Sequence, residues 1–136
     1  MSQANLDLVR SIYTDWERGD WSATGWAHPD VEYAMVDEPG SRVHKGIPAM
    51  GQAWRSFLSA WEAYRIEPAE YRALDDERVL VLVRALGRGR SSGVELAAST
   101  HGRMGANVFH IRDGSVVRLD AYVNAENALS DLGLTE

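Results

Sequence analysis

The first part of the chain carries the pattern of an amphipathic helix. Apolar side chains recur at intervals of three and four residues over 6–16, which is the period of a helix with one buried face. This spacing predicts a first helix over about 5–18, closed by Gly19. A second, short helix is expected over about 20–27, with an aspartate as its N-cap, and it ends before Pro29.

The pattern of residues 31–61 predicts two strands and then a helix. Aromatic and β-branched residues without a helical period predict a strand over 31–37. The Glu-Pro-Gly-Ser sequence at 38–41 is typical of a turn, and a short strand over 42–45 follows. A third helix is predicted from Pro48, a residue that suits the first position of a helix. Its apolar stripe is formed by Met50, Trp54, Phe57 and Trp61.

The second half of the chain is dominated by strand patterns. Strands are predicted over 64–74, 78–86, about 94–111 and 115–123, with kinks in the third of them near Gly102 and Gly105. The uninterrupted apolar run at 79–83 is typical of a central strand that is covered on both faces. Asn124 is expected to cap a last short helix that Gly133 closes.

This order of elements predicts a single α+β domain that spans 1–136. We expect a strongly curved, mainly antiparallel sheet, with three helices from the N-terminal half packed on its concave face. Such a sheet closes only partly over its helices and leaves a conical space. That space is a natural place for a ligand cavity.

Composition restricts the partners that this domain is expected to have. The 136 residues include 14 Lys and Arg against 20 Asp and Glu, for a net charge of −6, which disfavours a nucleic-acid or anionic-membrane partner. There is no cysteine, so disulfides and thiolate chemistry are excluded. Because no apolar stretch approaches the roughly 20 residues of a membrane span, and no signal-peptide pattern is present, the expected location is the cytoplasm.

Several short segments, taken in order, resemble a known family. They are Gly19-Asp20-Trp21, His28-Pro29-Asp30-Val31-Glu32, Gly46, Arg112-Asp113-Gly114 with Val116-Val117-Arg118, and Ala128-Leu129 through Gly133-Leu134. Together they resemble the SnoaL-like branch of the nuclear-transport-factor-2-like (NTF2-like) superfamily, which includes the ketosteroid isomerases and has the cystatin-like fold. The resemblance implies a conical α+β barrel with an internal pocket and a homodimer. It leaves the reaction open, because one scaffold hosts unrelated chemistries.

Asp37 is the first candidate for chemistry. It closes the predicted strand 31–37 on the same face as Tyr33 and Met35, which should look inward. A carboxylate at the mouth of an aromatic cavity is desolvated, which raises its pKa and makes it a better proton acceptor. Its spacing to Gly46 resembles that around the general base of ketosteroid isomerases. The alternative interpretation is an ordinary turn, in which the aspartate caps its own backbone.

Asn107 and Tyr13 are the next candidates. The resemblance places Asn107 where ketosteroid isomerases donate a hydrogen bond to a developing oxyanion, and an amide can still donate one. Tyr13 falls one helical residue away from the matching tyrosine position, which Ile12 occupies, and Tyr33 is the alternative donor. A purely structural interpretation of Asn107, as a buried amide that satisfies backbone groups, stays open.

The position of Asp120 depends on the last hairpin. With a two-residue loop at 113–114, Asp120 would face Asn107. With a three-residue loop at 112–114, it would point to the outer face of the sheet, close to Arg118 and to a dimer contact. The second arrangement is favoured, because it leaves an unbroken apolar face at Val117, Leu119, Ala121 and Val123.

A set of large apolar side chains is predicted to bind substrate. These residues are Trp16, Met35, Trp54, Phe57, Trp61, Phe109 and Leu119. Aromatic rings in this number suit a planar or polycyclic ligand, although the same rings at helical spacing are also typical of ordinary core.

No other motif indicates a cofactor. His28, His44, His101 and His110 lack the spacing of metal ligands, and the Gly-Arg-rich tip at 87–93 lacks the ending of a phosphate-binding loop. We therefore expect neither metal nor cofactor. The leading hypothesis is a pocket protein that acts as an isomerase, cyclase or dehydratase on a small hydrophobic, carbonyl-bearing or polycyclic molecule. The alternative is a non-catalytic binding or dimerisation module.

Overall fold

The protein folds into three helices and a six-stranded sheet. The structure, a computed structural model, describes residues 3–22, 24–95 and 104–134. In chain order the elements are α1 (Gln3–Glu17), β1 (Ala27–Met35), β2 (His44–Lys45), α2 (Ile47–Leu58), β3 (Trp61–Ala73), β4 (Arg78–Gly89), β5 (Gly105–Arg112), β6 (Ser115–Tyr122) and α3 (Ala125–Asp131).

The sheet has the strand order β2-β1-β6-β5-β4-β3. All neighbours are antiparallel except β1 and β6, which run parallel. The antiparallel part includes two hairpins, β3–β4 and β5–β6, whose strands connect through short turns, which only antiparallel neighbours allow. The α+β class and the mainly antiparallel sheet predicted from the sequence are confirmed.

The two faces of the sheet have different covers. α1 and α2 pack on one face, here called the inner face, where they bury residues such as Ile12, Trp16 and Met50. α3 packs on the opposite, outer face, against Leu80 and Val108. Since β-strand side chains alternate between faces, β4 and β5 contribute to both cores.

The helix predicted over 20–27 is wrong. Residues 20–22 and 24 have no regular secondary structure, residues 25–26 form a turn, and β1 already begins at Ala27. Asp20 does accept hydrogen bonds, from the backbone N–H and hydroxyl of Ser22, but it caps a turn. A side chain of this type can cap either a turn or a helix, so its presence alone does not predict which of the two forms.

Other boundaries differ in smaller ways. α2 ends at Leu58, so Trp61 begins β3 and does not extend the helical stripe. In the range 94–111, where one long strand was predicted, the described residues form an isolated bridge at Glu95 and the strand β5. His101 and the kink predicted near Gly102 lie outside the described residues. Asn124 caps α3 by accepting from the backbone of Glu126, as predicted.

The last hairpin places Asp120 on the outer face, as favoured, but the predicted loop is wrong. Arg112 pairs with Ser115 across a two-residue loop, whose Asp113 and Gly114 both have positive φ (52° and 78°), the geometry that a tight hairpin requires. A bulge at Val117 then shifts the register, so that Asp120 faces Val108. One extra residue in a strand reverses the side of every residue beyond it.

Among the described residues, no helix has the length and apolar character needed to cross a membrane.

Candidate functional site

The inner face is packed with aromatic rings around Trp16. The Trp16 ring stacks on Trp21, with centroids 5.0 Å apart and planes 20° apart, and meets Trp54 edge-on at 5.5 Å. Further rings surround it within 6.3 Å, namely those of Tyr13, Trp26 and Phe109. The geometries are the stacked and T-shaped ones that aromatic quadrupoles prefer, except for the tilted pair of Trp16 and Phe109, so these rings form one packed cluster.

A small cavity lies inside this cluster. Its volume is about 60 Å³, and it is lined by Trp16, Trp21, Tyr33, Met35, Trp54, Phe57, Leu58, Tyr64, Ile66, Asn107, Leu119 and Ala121. Ligand pockets usually measure about 300–1,000 Å³, so the rings fill most of the space predicted for a ligand. This volume holds one end of a molecule and not a polycyclic system.

Asn107 and Tyr13 are hydrogen-bonded at the base of the inner face. The amide Nδ2 of Asn107 donates to the hydroxyl oxygen of Tyr13 at 2.7 Å, and both residues are buried. Burial raises the pKa of Tyr13 far above its usual value, so this phenol stays neutral. The hydrogen bond from Asn107 to Tyr13 thus fixes the orientation of the Asn107 side chain. Of these two residues, only Asn107 lines the cavity.

One polar atom of the cluster has no partner. The indole N–H of Trp16 is buried and finds no hydrogen-bond acceptor among the described residues. A buried donor without a partner costs free energy, about 1–3 kcal/mol. The Trp16 side chain lines the cavity, so this unpartnered donor belongs to a residue of the cavity wall.

Tyr33 marks the outer limit of the cavity. Burial raises its pKa to about 12, the charge of Glu38 adds to this rise, and a hydrogen bond with the Trp54 side chain opposes it. The phenol is therefore protonated at neutral pH. Because the indole of Trp54 can only donate, it lowers the pKa of Tyr33 and does not take up the phenol proton.

A larger cleft opens outward from Tyr33. Its volume is about 590 Å³, and we call it the mouth cleft. It is lined by Tyr33, Met35, Glu38, Pro39, Gly40, Ser41, Arg42, His44, Ala49, Gln52, Ala53, Ser56 and Phe57. Tyr33, Met35 and Phe57 line both spaces. The cavity and the cleft are therefore neighbouring spaces that share three side chains of their walls.

The environment predicted for Asp37 is wrong. β1 ends at Met35, so Asp37 lies in the following turn and leaves the inward alternation. Its carboxylate accepts from the backbone N–H groups of Val123 (2.7 Å) and Asn124 (2.9 Å) and from the amide of Asn127 (2.9 Å). Burial alone would raise its pKa, but these hydrogen bonds outweigh burial and hold the pKa below its usual value. Through these hydrogen bonds Asp37 connects the turn after β1 to the N-terminal part of α3.

The structure brings many of the predicted site residues together. Those that line the cavity are Tyr33, Asn107, Trp16, Met35, Trp54, Phe57 and Leu119. Phe109 is fully buried core beneath Tyr13, and Trp61 packs on Phe57 from outside the cavity. Sequence reasoning missed Tyr64 and Ile66, although their alternation in β3 was the available signal.

A group of paired charges lies on the outer face instead. Arg118 bonds Glu32 at 2.9 Å and Asp120 at 2.8 Å, and Asp120 also contacts His110 at 3.2 Å. Burial raises the pKa of Asp120, but its bonds with His110 and Arg118 prevail and lower it. In the part of the chain that the structure describes, no group of three or more potential ligands is arranged for a metal ion.

Comparisons with known proteins agree with this architecture. A family model described as a SnoaL-like domain matches residues 9–119. An NTF2-like protein from Burkholderia thailandensis has 18% identity and a TM-score of 0.74, over 95% of this chain and 98% of that one. A candidate polyketide cyclase from Sinorhizobium meliloti has 25% identity and a TM-score of 0.64, over 88% and 99%.

Other comparisons add the fold name or find no match. A protein of unknown function from Xanthomonas campestris, described as having a cystatin-like fold, has 18% identity and a TM-score of 0.69, over 85% of this chain and 87% of that one. A search of curated proteins finds no match. The likenesses at 18% identity concern the fold alone.

Proposed function

The chain belongs to the SnoaL-like domain family, and we propose that it binds a small, uncharged, oxygen-bearing molecule where the cavity meets the mouth cleft. The observation that carries this proposal is the unpartnered indole N–H of Trp16 in the aromatic cluster. A carbonyl or hydroxyl oxygen of a ligand would satisfy it. Among the described residues that line the cavity, none carries a carboxylate or an imidazole, which favours an uncharged ligand end.

The sizes of the two spaces define the shape of this ligand. The cavity of about 60 Å³ accepts a short apolar end, whereas the cleft of about 590 Å³ accepts the larger remainder. The cleft also carries Glu38, Arg42 and Gln52, so the remainder can be polar. We therefore replace the polycyclic ligand expected from the sequence by a molecule with one slim apolar end.

A second candidate function is acid–base catalysis on the same ligand. It is favoured by Tyr33, whose protonated hydroxyl lies at the junction with Glu38 close by. A hydroxyl there can donate to a developing oxyanion. The Sinorhizobium meliloti protein, which has a similar structure, is described as a candidate polyketide cyclase. Isomerase, cyclase and dehydratase reactions all remain within this proposal.

The binding proposal is tested with methyl ketones from 2-butanone to 2-nonanone as probes. Their affinities are measured by NMR titration of the native chain and of Trp16→Phe, which removes the N–H and keeps an aromatic ring. Loss of one neutral hydrogen bond should weaken binding by about threefold to tenfold. Trp61→Phe is the matched control, since Trp61 lies outside the cavity, and it should bind as the native chain does.

Two results would contradict binding at this site. One is the absence of ketone binding at millimolar concentration, and the other is an equal affinity in the native chain and Trp16→Phe. A thermal-shift screen of small metabolites complements the titration, because a ligand at 100 times its dissociation constant adds about 2.7 kcal/mol of stability.

We also propose that the chain is a homodimer through the outer face of its sheet. The half-buried charges of Glu32, Arg118 and Asp120 would lie in that contact. Light scattering should then give a mass near twice the 15.1 kDa of one chain. A monomer mass at working concentration would contradict this assembly.

A further inference from the structure

His44 and Tyr33 are direct neighbours across the first two strands of the sheet. They form a register pair in the antiparallel pairing of β1 with β2. Directly opposite residues of such a pair point to the same face, and the ring centroids of the two side chains are 6.1 Å apart. His44 is therefore held beside the hydroxyl-bearing ring that separates the cavity from the mouth cleft.

The local environment leaves this imidazole available to a ligand. His44 is partly exposed and lines the mouth cleft. By contrast, the carboxylate of Asp37 receives three hydrogen bonds from the α3 region, and Asp120 is paired on the outer face. The charged side chains that line the cleft with His44 are Glu38 and Arg42, and both are exposed.

We propose that His44 is the proton acceptor of this site and that its substrate is a small ketone with a hydrogen on the carbon next to the carbonyl. This inference rests on the ligand site proposed above. The slim apolar end of the ketone lies in the cavity, its carbonyl oxygen accepts from the indole N–H of Trp16 and from the hydroxyl of Tyr33, and its α-carbon faces the imidazole. No group beyond the ketone and the two side chains takes part.

The proton transfer balances within these groups. A lone pair on an imidazole nitrogen takes the α-proton, and the electrons of the broken C–H bond move to the carbonyl oxygen. The resulting enolate accepts a hydrogen bond from the hydroxyl of Tyr33, whose pKa is raised by burial so that it keeps its proton at neutral pH. The imidazolium then returns a proton to carbon, either at the same atom or at a conjugated one.

The experiment follows hydrogen–deuterium exchange at the α-carbon of 2-pentanone in D₂O by ¹H NMR. The native chain should accelerate exchange over buffer, and His44→Ala should lose about 10²–10⁴-fold of rate, up to the whole acceleration. Added imidazole should restore part of the rate in His44→Ala, a response that a purely structural role would not produce. His28→Ala is the matched control, because His28 lies outside the cavity and the cleft.

Binding of 2-pentanone, measured in parallel, separates the two proposals. If the native chain binds the ketone without accelerating exchange, or if His44→Ala exchanges as fast as the native chain, the role of His44 is wrong and the ligand site stands. Exchange that is lost in His44→Ala but not restored by imidazole also overturns this role. If no variant binds the ketone, the ligand site itself is refuted together with the role of His44.

Discussion

The two faces of the sheet distribute polar groups in opposite ways. On the outer face, Arg118 joins Glu32 and Asp120, and each charge has a partner. On the inner face, uncharged rings dominate, yet the indole N–H of Trp16 has no partner among the described residues. The charges of this group are thus already neutralised, and the binding site that we propose lies where a neutral donor is left over.

Asp37 bonds to an element of the outer face, and its carboxylate is satisfied as the charges there are. Its carboxylate satisfies the backbone N–H groups of Val123 and Asn124, at the start of the helix that covers the outer face. A carboxylate that already accepts several hydrogen bonds is stabilised in its charged form and is a weak base. The acidic residue that looks most catalytic in the sequence is therefore used to fasten two elements together.

The largest expected effect distinguishes core from cavity lining on the inner face. Phe109 is fully buried and Phe57 lines the cavity. Phe109→Ala should lower the free energy of unfolding by about 3–5 kcal/mol, whereas Phe57→Ala, at a partly exposed site, should lower it less. Urea denaturation measures both values.

Ketone affinity provides the second half of this test. Phe57→Ala should change it, because Phe57 contacts both the cavity and the cleft, while Phe109→Leu, which keeps the core filled, should not. If Phe109→Leu impaired binding more than Phe57→Ala did, the division of the inner face into core and lining would be refuted.

Residue periodicity predicted most of the elements and part of this site. The helical spacing that includes Trp16, Met50 and Trp54 places these side chains in the core, as expected of a stripe that faces a sheet. Alternation in β1 likewise predicted that Tyr33 and Met35 face inward, and both line the cavity. Periodicity succeeds there because burial of one face is the dominant local constraint.

The misassigned residues lie where an element ends. Asp37 is two residues beyond the last residue of β1, and Trp61 is three residues beyond the last residue of α2. The periodicity of a strand or helix does not specify the residue at which its backbone hydrogen bonding ends. Beyond the end of β1, Asp37 instead bonds residues some 86 to 90 positions away in the sequence. Sequence pattern alone contains no signal for such distant partners, nor for the bulge at Val117.

The next effect concerns Asp37. Asp37→Ala removes the acceptor for two backbone N–H groups and one amide, and should lower the free energy of unfolding by about 1–2 kcal/mol. Ketone affinity should stay unchanged, since Asp37 does not line the cavity or the cleft. A loss of binding without a loss of stability would restore Asp37 to the site.

The same residue makes stability depend on pH. Its pKa is lowered on folding, so its stabilising contribution is complete above the pKa of the unfolded chain, near 3.9, and is lost as pH falls through the lower folded pKa. Urea midpoints of the native chain should therefore fall in acid more steeply than those of Asp37→Asn, which cannot titrate. Parallel curves for the two proteins would contradict this assignment.

The smallest effect is expected on the outer face. Arg118→Met removes two ion pairs at a site that is one-third exposed, where such pairs contribute about 0.5–1 kcal/mol. High salt should reduce the difference from the native chain, because it screens partly exposed charges. Arg65→Met is the control, since its pair with Glu67 is longer, at 3.7 Å, and more exposed.

Arg118→Met should leave ketone affinity and α-proton exchange as they are, because the outer-face charges lie across the sheet from the cavity. A fall in either quantity, in a variant that light scattering shows to keep the native assembly, would mean that the two faces are coupled and that the charged face takes part in the chemistry.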